Sequence, residues 1–396
     1  MEVWSEGKIS DFADVKGGKR LPKGKQLISE PNLHPYIRIR DLGKSKVLEL
    51  NSDYEYVDDE TQKSIARYIV DAGDILISVV GTIGLIAIVG ESLDKANQTE
   101  NCDKIINLKG INRDYLYYYL ISPAGQEEIK KGTVGAVQPK LPLKNVQDIN
   151  IKYPSLETQE KIVSILNAID AKIYTNEAIN RNLQQQAHQI FKREFLELDE
   201  VPNGWKEGSL VDIADYLNGL AMQKFRPKDD EIGLPVLKIK ELRQGVCDAS
   251  SEQCSPTIKK EYIIHDGDVI FSWSGSLLVD FWCGGDCGLN QHLFKVTSSQ
   301  YDKWFYYAWT MHHLERFIAV AADKATTMGH IKREELSKAE VLIPNEADYE
   351  RIGALLEPMY NMIINNRIEN RKLASLRDEL LPKLMSGEID VTELDV

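Results

Sequence analysis

The chain has 396 residues, 43% of them hydrophobic, and carries a formal net charge of −13. That length allows two or three domains, each able to bury its own core, and no apolar run approaches the ~18 residues of a membrane span. The acid excess argues against an indiscriminate grip on a nucleic-acid backbone, which needs Lys and Arg, unless basic residues gather on one face or a basic partner supplies that grip.

The first unit opens W-S-E-G-K-I-S-D-F-A (Trp4 to Ala13), followed by basic turn residues at Gly17-Gly18-Lys19-Arg20 and Gly24-Lys25. In Y-I-R-I-R-D-L (Tyr36 to Leu42) apolar and basic residues alternate, which predicts a half-buried strand with one basic face. A Gly-Asp turn, an apolar strand and a Gly/Ser-rich loop come next, in A-G-D-I-L-I-S-V-V-G-T-I-G (Ala72 to Gly84). Asn97-Gln98 follows, then the aromatic helix Y-L-Y-Y-Y-L (Tyr115 to Leu120), read as core, and the loop G-T-V-G-A-V-Q-P-K-L (Gly132 to Leu141). A short strand runs into Pro154, where a long helix begins. Pro and Gly break that helix in L-E-L-D-E-V-P-N-G (Leu196 to Gly204), a linker.

The chain then repeats itself. P-N-G-W-K-E-G-S-L-V-D-I-A (Pro202 to Ala214) matches the opening and V-L-K-I-K-E-L (Val236 to Leu242) the basic strand. D-G-D-V-I-F-S-W-S-G-S-L (Asp266 to Leu277) matches the Gly-Asp turn and loop, Asn290-Gln291 the amide pair, and W-F-Y-Y-A-W (Trp304 to Trp309) the aromatic helix. K-A-T-T-M-G-H-I-K (Lys324 to Lys332) stands for the later loop, and a second long helix follows Pro344. So long a period means duplicated domains. Loop lengths differ between the copies while the helices keep step, as expected of variable recognition loops on a fixed frame.

Both long helices carry heptads. Ile162, Leu166, Ile169, Ile173, Asn176, Asn180, Leu183, Ala187 and Ile190 step by four and three; so do Ile352, Leu356, Met359, Ile363, Asn366, Asn370, Leu373, Arg377 and Leu380. Each seam has two central Asn residues, which resist slippage because a shifted register strands their amides. Packed antiparallel about a pseudo-twofold axis, the helices would bring Asn176, Asn180, Asn366 and Asn370 together and form a rod of about 60 Å at ~1.5 Å per residue.

Signals of catalysis are lacking. There is no G-x-x-x-x-G-K-[ST] phosphate loop, no G-x-G-x-x-G after a strand, and no Asn-Pro-Pro-aromatic or Asp-Pro-Pro-aromatic tetrapeptide for amino methylation. Asp71/Asp74 and Asp266/Asp268 lie in Gly-Asp turns, where such side chains cap their own turn. The histidines, among them His188, His292, His312 and His313, share no ligand spacing. Cys102, Cys247, Cys254, Cys283 and Cys287 are an odd number and fit a reduced compartment; a zinc site from the last four has a wide Cys247–Cys254 gap, and no metal is expected. The start, M-E-V-W-S-E-G-K, has no charged-then-apolar leader, so a cytoplasmic location is expected.

The W-x-x-G and P-x-G-W-x-x-G openings, the Gly-Asp strands, P-S-L-E-T-Q-E-K-I-V-S-I-L-N-A-I-D (Pro154 to Asp170) and L-R-D-E-L-L-P-K-L-M-S-G-E-I (Leu376 to Ile389) resemble type I restriction–modification specificity subunits over essentially the whole chain. The resemblance implies an α+β, pseudo-twofold fold: target recognition domains at 1–154 and 199–344, conserved spacer and docking helices at 155–198 and 345–386, joined as two long antiparallel coiled-coil helices, and a tail at 387–396. It implies a non-catalytic subunit that reads a bipartite duplex DNA site. Two methyltransferase subunits using S-adenosylmethionine, and two restriction/translocase subunits using ATP with Mg, are the implied partners, so this chain holds no cofactor itself. Two departures stand out: no Pro-Gly precedes Trp4, and Tyr349 replaces Gln159, which points to altered partner docking at one end.

Recognition residues vary within such a family, so chemistry must supply them: Arg reads guanine, Asn or Gln adenine, and Lys mostly grips phosphate. The first domain offers Lys19, Arg20, Lys23, Lys25, Arg38, Arg40, Thr82, Gln138 and Lys140. The second offers Lys224, Arg226, Lys238, Lys240, Ser274, Ser276, Lys324, Thr326, His330 and Lys332. The alternative within the same logic is a specificity subunit with a fused methyltransferase–nuclease partner and no motor. A coiled-coil adhesion protein fits the basic loops poorly, and an enzyme fits the missing motifs poorly.

Overall fold

The computed structural model describes residues 3–323 and 331–394. They form two compact units, one of residues 1–170 with 375–396, the other of residues 171–374.

Unit 1 begins with β1 (Ser5–Lys8), the short helix α1 (Ile9–Phe12), β2 (Asp14–Gly17) and β3 (Pro35–Ile37). Then come β4 (Val47–Leu48), β5 (Glu55–Tyr56), α2 (Asp59–Ile65), β6 (Ile75–Ser78), β7 (Ile86–Val89), β8 (Asn97–Gln98) and β9 (Cys102–Ile106). Helices α3 (Arg113–Ile121), α4 (Pro123–Gly132) and α5 (Leu143–Gln147) precede β10 (Asn150–Tyr153) and the long α6 (Leu156–Phe191). The sheets are β2-β9-β6-β7-β4, β5-β3-β8 and the pair β1-β10.

Unit 2 repeats the plan. It has β11 (Lys206–Ser209), α7 (Leu210–Ile213), β12 (Asp215–Asn218), β13 (Leu234–Leu237), α8 (Ile239–Gln244), β14 (Gln253–Cys254) and β15 (Ile263–Ile264). Next come β16 (Val269–Ser272), β17 (Leu278–Phe281), β18 (Cys287–Leu289), β19 (Leu293–Thr297), α9 (Lys303–His312) and α10 (Leu314–Asp323). The last elements are α11 (Glu334–Ser337), β20 (Glu340–Ile343) and α12 (Glu346–Ser386). Its sheets are β12-β19-β16-β17, β14-β13-β18-β15 and β11-β20. The duplicated sequence is thus a duplicated α+β topology.

The Gly-Asp strands explain the layering. Alternate side chains of a strand leave opposite faces. Ile75 and Ile77 of β6 enter the core under α3, while Leu76 enters a second core with Ile37 and Val89. Val269 and Phe271 of β16 divide from Ile270 in the same way. A strand buried on both faces must be continuously apolar. The aromatic helices fill the larger cores: Tyr115 to Leu120 and Trp304 to Thr310 are all buried.

The long helices are not a body apart. Ile162, Val163 and Leu166 of α6 and Leu381, Leu384 and Met385 of α12 belong to the core of unit 1. Ala187 and Phe191 of α6 and Ile352, Leu356 and Ile363 of α12 belong to that of unit 2. Within unit 2, Asn176 Nδ2 donates to Asn370 Oδ1 and Asn366 Nδ2 to Asn180 Oδ1, each at 2.8 Å. Partner numbers fall on α12 as they rise on α6, so the helices run antiparallel. No helix among the described residues is long and apolar enough to cross a membrane.

Candidate nucleic-acid interface

The two basic segments are only partly strand. In each, two residues complete the ladder (Tyr36-Ile37 and Val236-Leu237) and the chain then turns into helix. Arg38 and Lys238 sit at the turn itself, before a 3-10 turn at Ile39–Asp41 and before α8. The alternation of apolar and basic residues obscured a competing signal, the acid three residues after the base. Asp41 Oδ2 accepts the Arg38 backbone N–H at 2.8 Å, and Glu241 Oε2 that of Lys238 at 3.2 Å. A carboxylate at that spacing satisfies an otherwise orphaned donor of the first turn.

Around each turn the candidate cations are already paired. Glu55 forms ion pairs with Arg38 and, at 3.1 Å, with Arg40; the Asp53 carbonyl accepts from Arg38 Nη2 at 3.0 Å. Glu252 pairs with Arg226 at 2.5 Å and with Lys238, whose hydrogen bond holds the Glu252 carboxyl below the usual carboxylate range. Lys240 meets Asp248 at 3.3 Å and Ser250 at 2.9 Å. Arg20 pairs with Glu100 at 2.6 Å, and Lys25 with Glu60 at 2.5 Å and Asp58 at 3.2 Å. Lys19 lies 5.6 Å from the Tyr68 ring centre. Lys23, Lys140 and Lys224 are exposed, and among the described residues no hydrogen bond or ion pair engages their ammonium groups. Lys332 is exposed; Lys324, Thr326 and His330 lie outside the described residues.

The Gly/Ser-rich loops pack beside these turns. Gly81 and Gly275 both have positive φ, 78° and 66°, and a Cβ on either would touch the tip of Ile39 or Ile239, each at 3.5 Å. Ser78 Oγ donates to the Thr82 carbonyl at 2.6 Å and Ser272 Oγ to that of Ser276 at 2.9 Å, closing the loops. Thr82 and Ser276 are exposed. Ser274 is a correction: it is 5% exposed, and its hydroxyl is 3.0 Å from His292 Nδ1, so it braces the loop from within. In unit 1 a hairpin joins the loop, with bridges Val134–Lys140 and Val80–Lys140. Its tip carries Gln138 beside Val137, which is 94% exposed.

The amide pairs require a second correction. Asn97-Gln98 lies on β8 opposite Tyr36-Ile37, whereas the residues opposite Val236-Leu237 are Gly288-Leu289. Thr99 is therefore the counterpart of Asn290: each donates its N–H to the carbonyl ending the basic strand, Ile37 or Leu237. Asn97 and Gln98 are fully buried and belong to the core, as does Asn290.

Three arrangements hold the heads to the helices. In unit 1, Lys46 pairs with Asp114 and Asn167, and its ammonium is 4.3 Å from the Tyr118 ring centre; burial pulls that ammonium below its usual range, with Asp114 opposing. Tyr118 Oη is 2.5 Å from Asp170 Oδ2, and Arg377 meets Asp170 Oδ1 at 3.1 Å. In unit 2, Arg371 grips Asp266 bidentately at 2.7 and 2.8 Å, and Arg367 meets Asp280 at 2.7 Å. Asp74 and Asp268 do cap their turns, accepting from Asp71 and His265 N–H, each at 2.9 Å, but Asp266 serves Arg371 instead. Gln159 accepts the Asn112 N–H at 2.8 Å where α3 begins, and Tyr349 accepts that of Asp302 at 2.7 Å where α9 begins. Tyr349 therefore performs the internal task of Gln159.

Two heads of one topology, each presenting a polar turn, a Gly/Ser loop and a lysine-bearing periphery, define a duplicated recognition subunit. Residues 1–185 and 202–375 match the family described as "Type I restriction modification DNA specificity domain". The chain belongs to that family, whose members are non-catalytic and give a restriction–modification complex its DNA sequence specificity. It is 27% identical to the type I restriction enzyme MjaIX specificity subunit of Methanocaldococcus jannaschii, over 99% of this chain and 94% of that one. With the HindI specificity subunit of Haemophilus influenzae the identity is 20%, over 70% and 77%. The crystal structure of the type I system S subunit from M. genitalium shares the fold, with a TM-score of 0.58 at 14% identity, covering 97% of this chain and 96% of that one.

Proposed function

We propose that this chain reads a bipartite duplex DNA site in the cytoplasm, one half-site per head, and that the helix pair sets the unread gap between them. The observation that carries this reading is the repetition: each head presents a charged turn after its first central strand, beside a tight Gly/Ser loop. The pairing state sorts the candidates. Cations already neutralised by carboxylates add little to phosphate binding, which depends on net charge and counterion release. Arg38, Arg40, Arg226, Lys238 and Lys240 therefore suit base edges, with Thr82, Gln138 and Ser276 beside them, whereas Lys23, Lys140, Lys224 and Lys332 suit phosphates.

Two methyltransferase subunits carrying S-adenosylmethionine, and two motor–nuclease subunits using ATP and Mg, complete the proposed complex. Their basic surfaces would supply the phosphate grip that a chain of net charge −13 lacks. The test is a map of adenine methylation across the genome of a host expressing this chain with its methyltransferase, against a host lacking only this chain. A bipartite motif dependent on the chain is expected. With the methyltransferase shown to be folded and bound, absence of such a motif would sink the proposal.

A further inference from the structure

Glu55 and Glu252 occupy the same position in the two heads. Glu55 stands opposite Tyr36 in the β3–β5 ladder. Glu252 takes the same place opposite Val236, whose N–H donates to its carbonyl at 2.7 Å, one residue beyond the paired Pro235 and Gln253 of β13 and β14. Tyr36 and Val236 are themselves equivalent, each starting the two-residue parallel ladder with β8 or β18.

Each glutamate holds two cations, and only one is common to both heads. The common one is Arg38 or Lys238, at the turn ending the strand. The second arrives from different places: Arg40 from two residues downstream, Arg226 from the loop preceding the strand. The second cations are also the more open of each pair, with side chains 61% and 56% exposed against 14% for Arg38 and 42% for Lys238. Arg40 touches Glu55 and the Asp53 carbonyl through Nη2, with its Nε 3.9 Å from Asp41 Oδ1, and Arg226 touches Glu252 through Nη1. A guanidinium carries five N–H donors in a rigid planar fork. These contacts restrain the fork and leave other donors on it free for a bidentate acceptor. In duplex DNA the acceptor pair of that geometry is guanine O6 and N7 in the major groove.

We infer that Arg40 and Arg226 are the guanine-reading residues of the first and second half-sites, and that Glu55 and Glu252 are positioning residues that hold them. This rests on the DNA-reading assignment above and adds the base read and the means of reading it. A shared carboxylate with one cation in a common place and one from a different place lets each head position its guanine contact differently while the strand beneath stays the same.

The experiment uses the specificity subunit assembled with its methyltransferase. Once the methylated motif is known, binding is measured on duplexes carrying it and on all single-base variants, with thermal melting of each protein as a check on folding. Arg40→Ala, and the charge-keeping Arg40→Lys, should each lose about tenfold or more of the preference for guanine at one position of the first half-site and leave the second untouched. Arg226→Ala and Arg226→Lys should do the converse. Glu55→Gln and Glu252→Gln, nearly isosteric, should relax the same positions as their arginines. Equal weakening on every duplex would overturn the inference and mark the arginines as phosphate contacts, with the bipartite reading intact. Altered melting with unchanged base preference in the glutamine variants would overturn the positioning role. Loss of every chain-dependent motif would instead reject the DNA-reading assignment beneath it.

Discussion

At the scale of single residues, Asp103 marks a difference in chemistry between the two heads. It lies opposite Ile77 and Gly17, the place that Phe294 takes opposite Phe271 and Asn218. It is buried, its Oδ2 has no hydrogen-bond partner among the described residues, and burial pushes its carboxyl up to about 6. A carboxyl whose folded value lies above its unfolded one binds a proton more tightly in the native state, so stability falls as pH rises from about 4 to about 6. Asp103→Asn should therefore be more stable than the parent at pH 7, by about 3 kcal/mol at ~1.4 kcal/mol per pH unit of displacement, with the gap closing below about pH 4. A gap independent of pH would show that Asp103 is not the group responsible. Lys140 illustrates the opposite case, an exposed cation with no intramolecular partner among the described residues. Lys140→Ala is expected to weaken all duplexes alike and to lower the salt slope of binding by about one. None of these environments is legible in sequence, since Asp103 sits in a run, C-D-K-I-I, that reads as an ordinary strand.

At the scale of elements, the paired asparagines decide how α6 and α12 register. Asn176 Nδ2 also donates to Glu369 at 2.7 Å, and Asn370 Nδ2 to the Ile173 carbonyl at 3.3 Å, while the buried Asn176 Oδ1 has no hydrogen-bond partner among the described residues. Asn176→Leu alone strands the Asn370 amide and should lower stability by about 1–3 kcal/mol. Asn176→Leu with Asn370→Leu should recover most of that loss, because two apolar groups then face each other. Thermal melting of the three proteins checks this, and a double variant no better than the single would mean that Glu369 and the backbone carbonyl matter more. The heptads were readable because a period of seven needs only apolar spacing. The basic strands were not, because a residue pair such as Arg38 and Asp41 serves equally as alternating surface and as helix start. Only the ladder ending at Ile37 decides between them.

At the scale of the molecule, the proposed mechanism is positional. Deleting one heptad from each of α6 and α12 removes about 10 Å of helix at ~1.5 Å per residue, close to three base pairs at ~3.4 Å each. The methylated motif should then keep both half-sites and change its gap, or methylation should cease. The same half-sites at the original gap would sink the ruler. The clamps by which the heads grip the helices must stay intact for this test. They differ between the units, Lys46–Tyr118–Asp170–Arg377 in one and Arg367–Asp280 with Arg371–Asp266 in the other.

Duplication, the apolar strands after each Gly-Asp turn, the aromatic cores and the helix seams were all determined by local pattern. Each depends on periodic apolar spacing or on glycine and proline, which act over a few residues and leave their mark in the order of the chain. Which carboxylate meets which cation, that Ser274 turns inward, that Thr99 and not Asn97 answers to Asn290, and that Tyr349 does the work of Gln159 were decided by tertiary structure. Those relations join residues far apart in sequence through loops of unequal length. Charge and hydrogen-bond geometry act only at contact distance, and that distance is set by the fold.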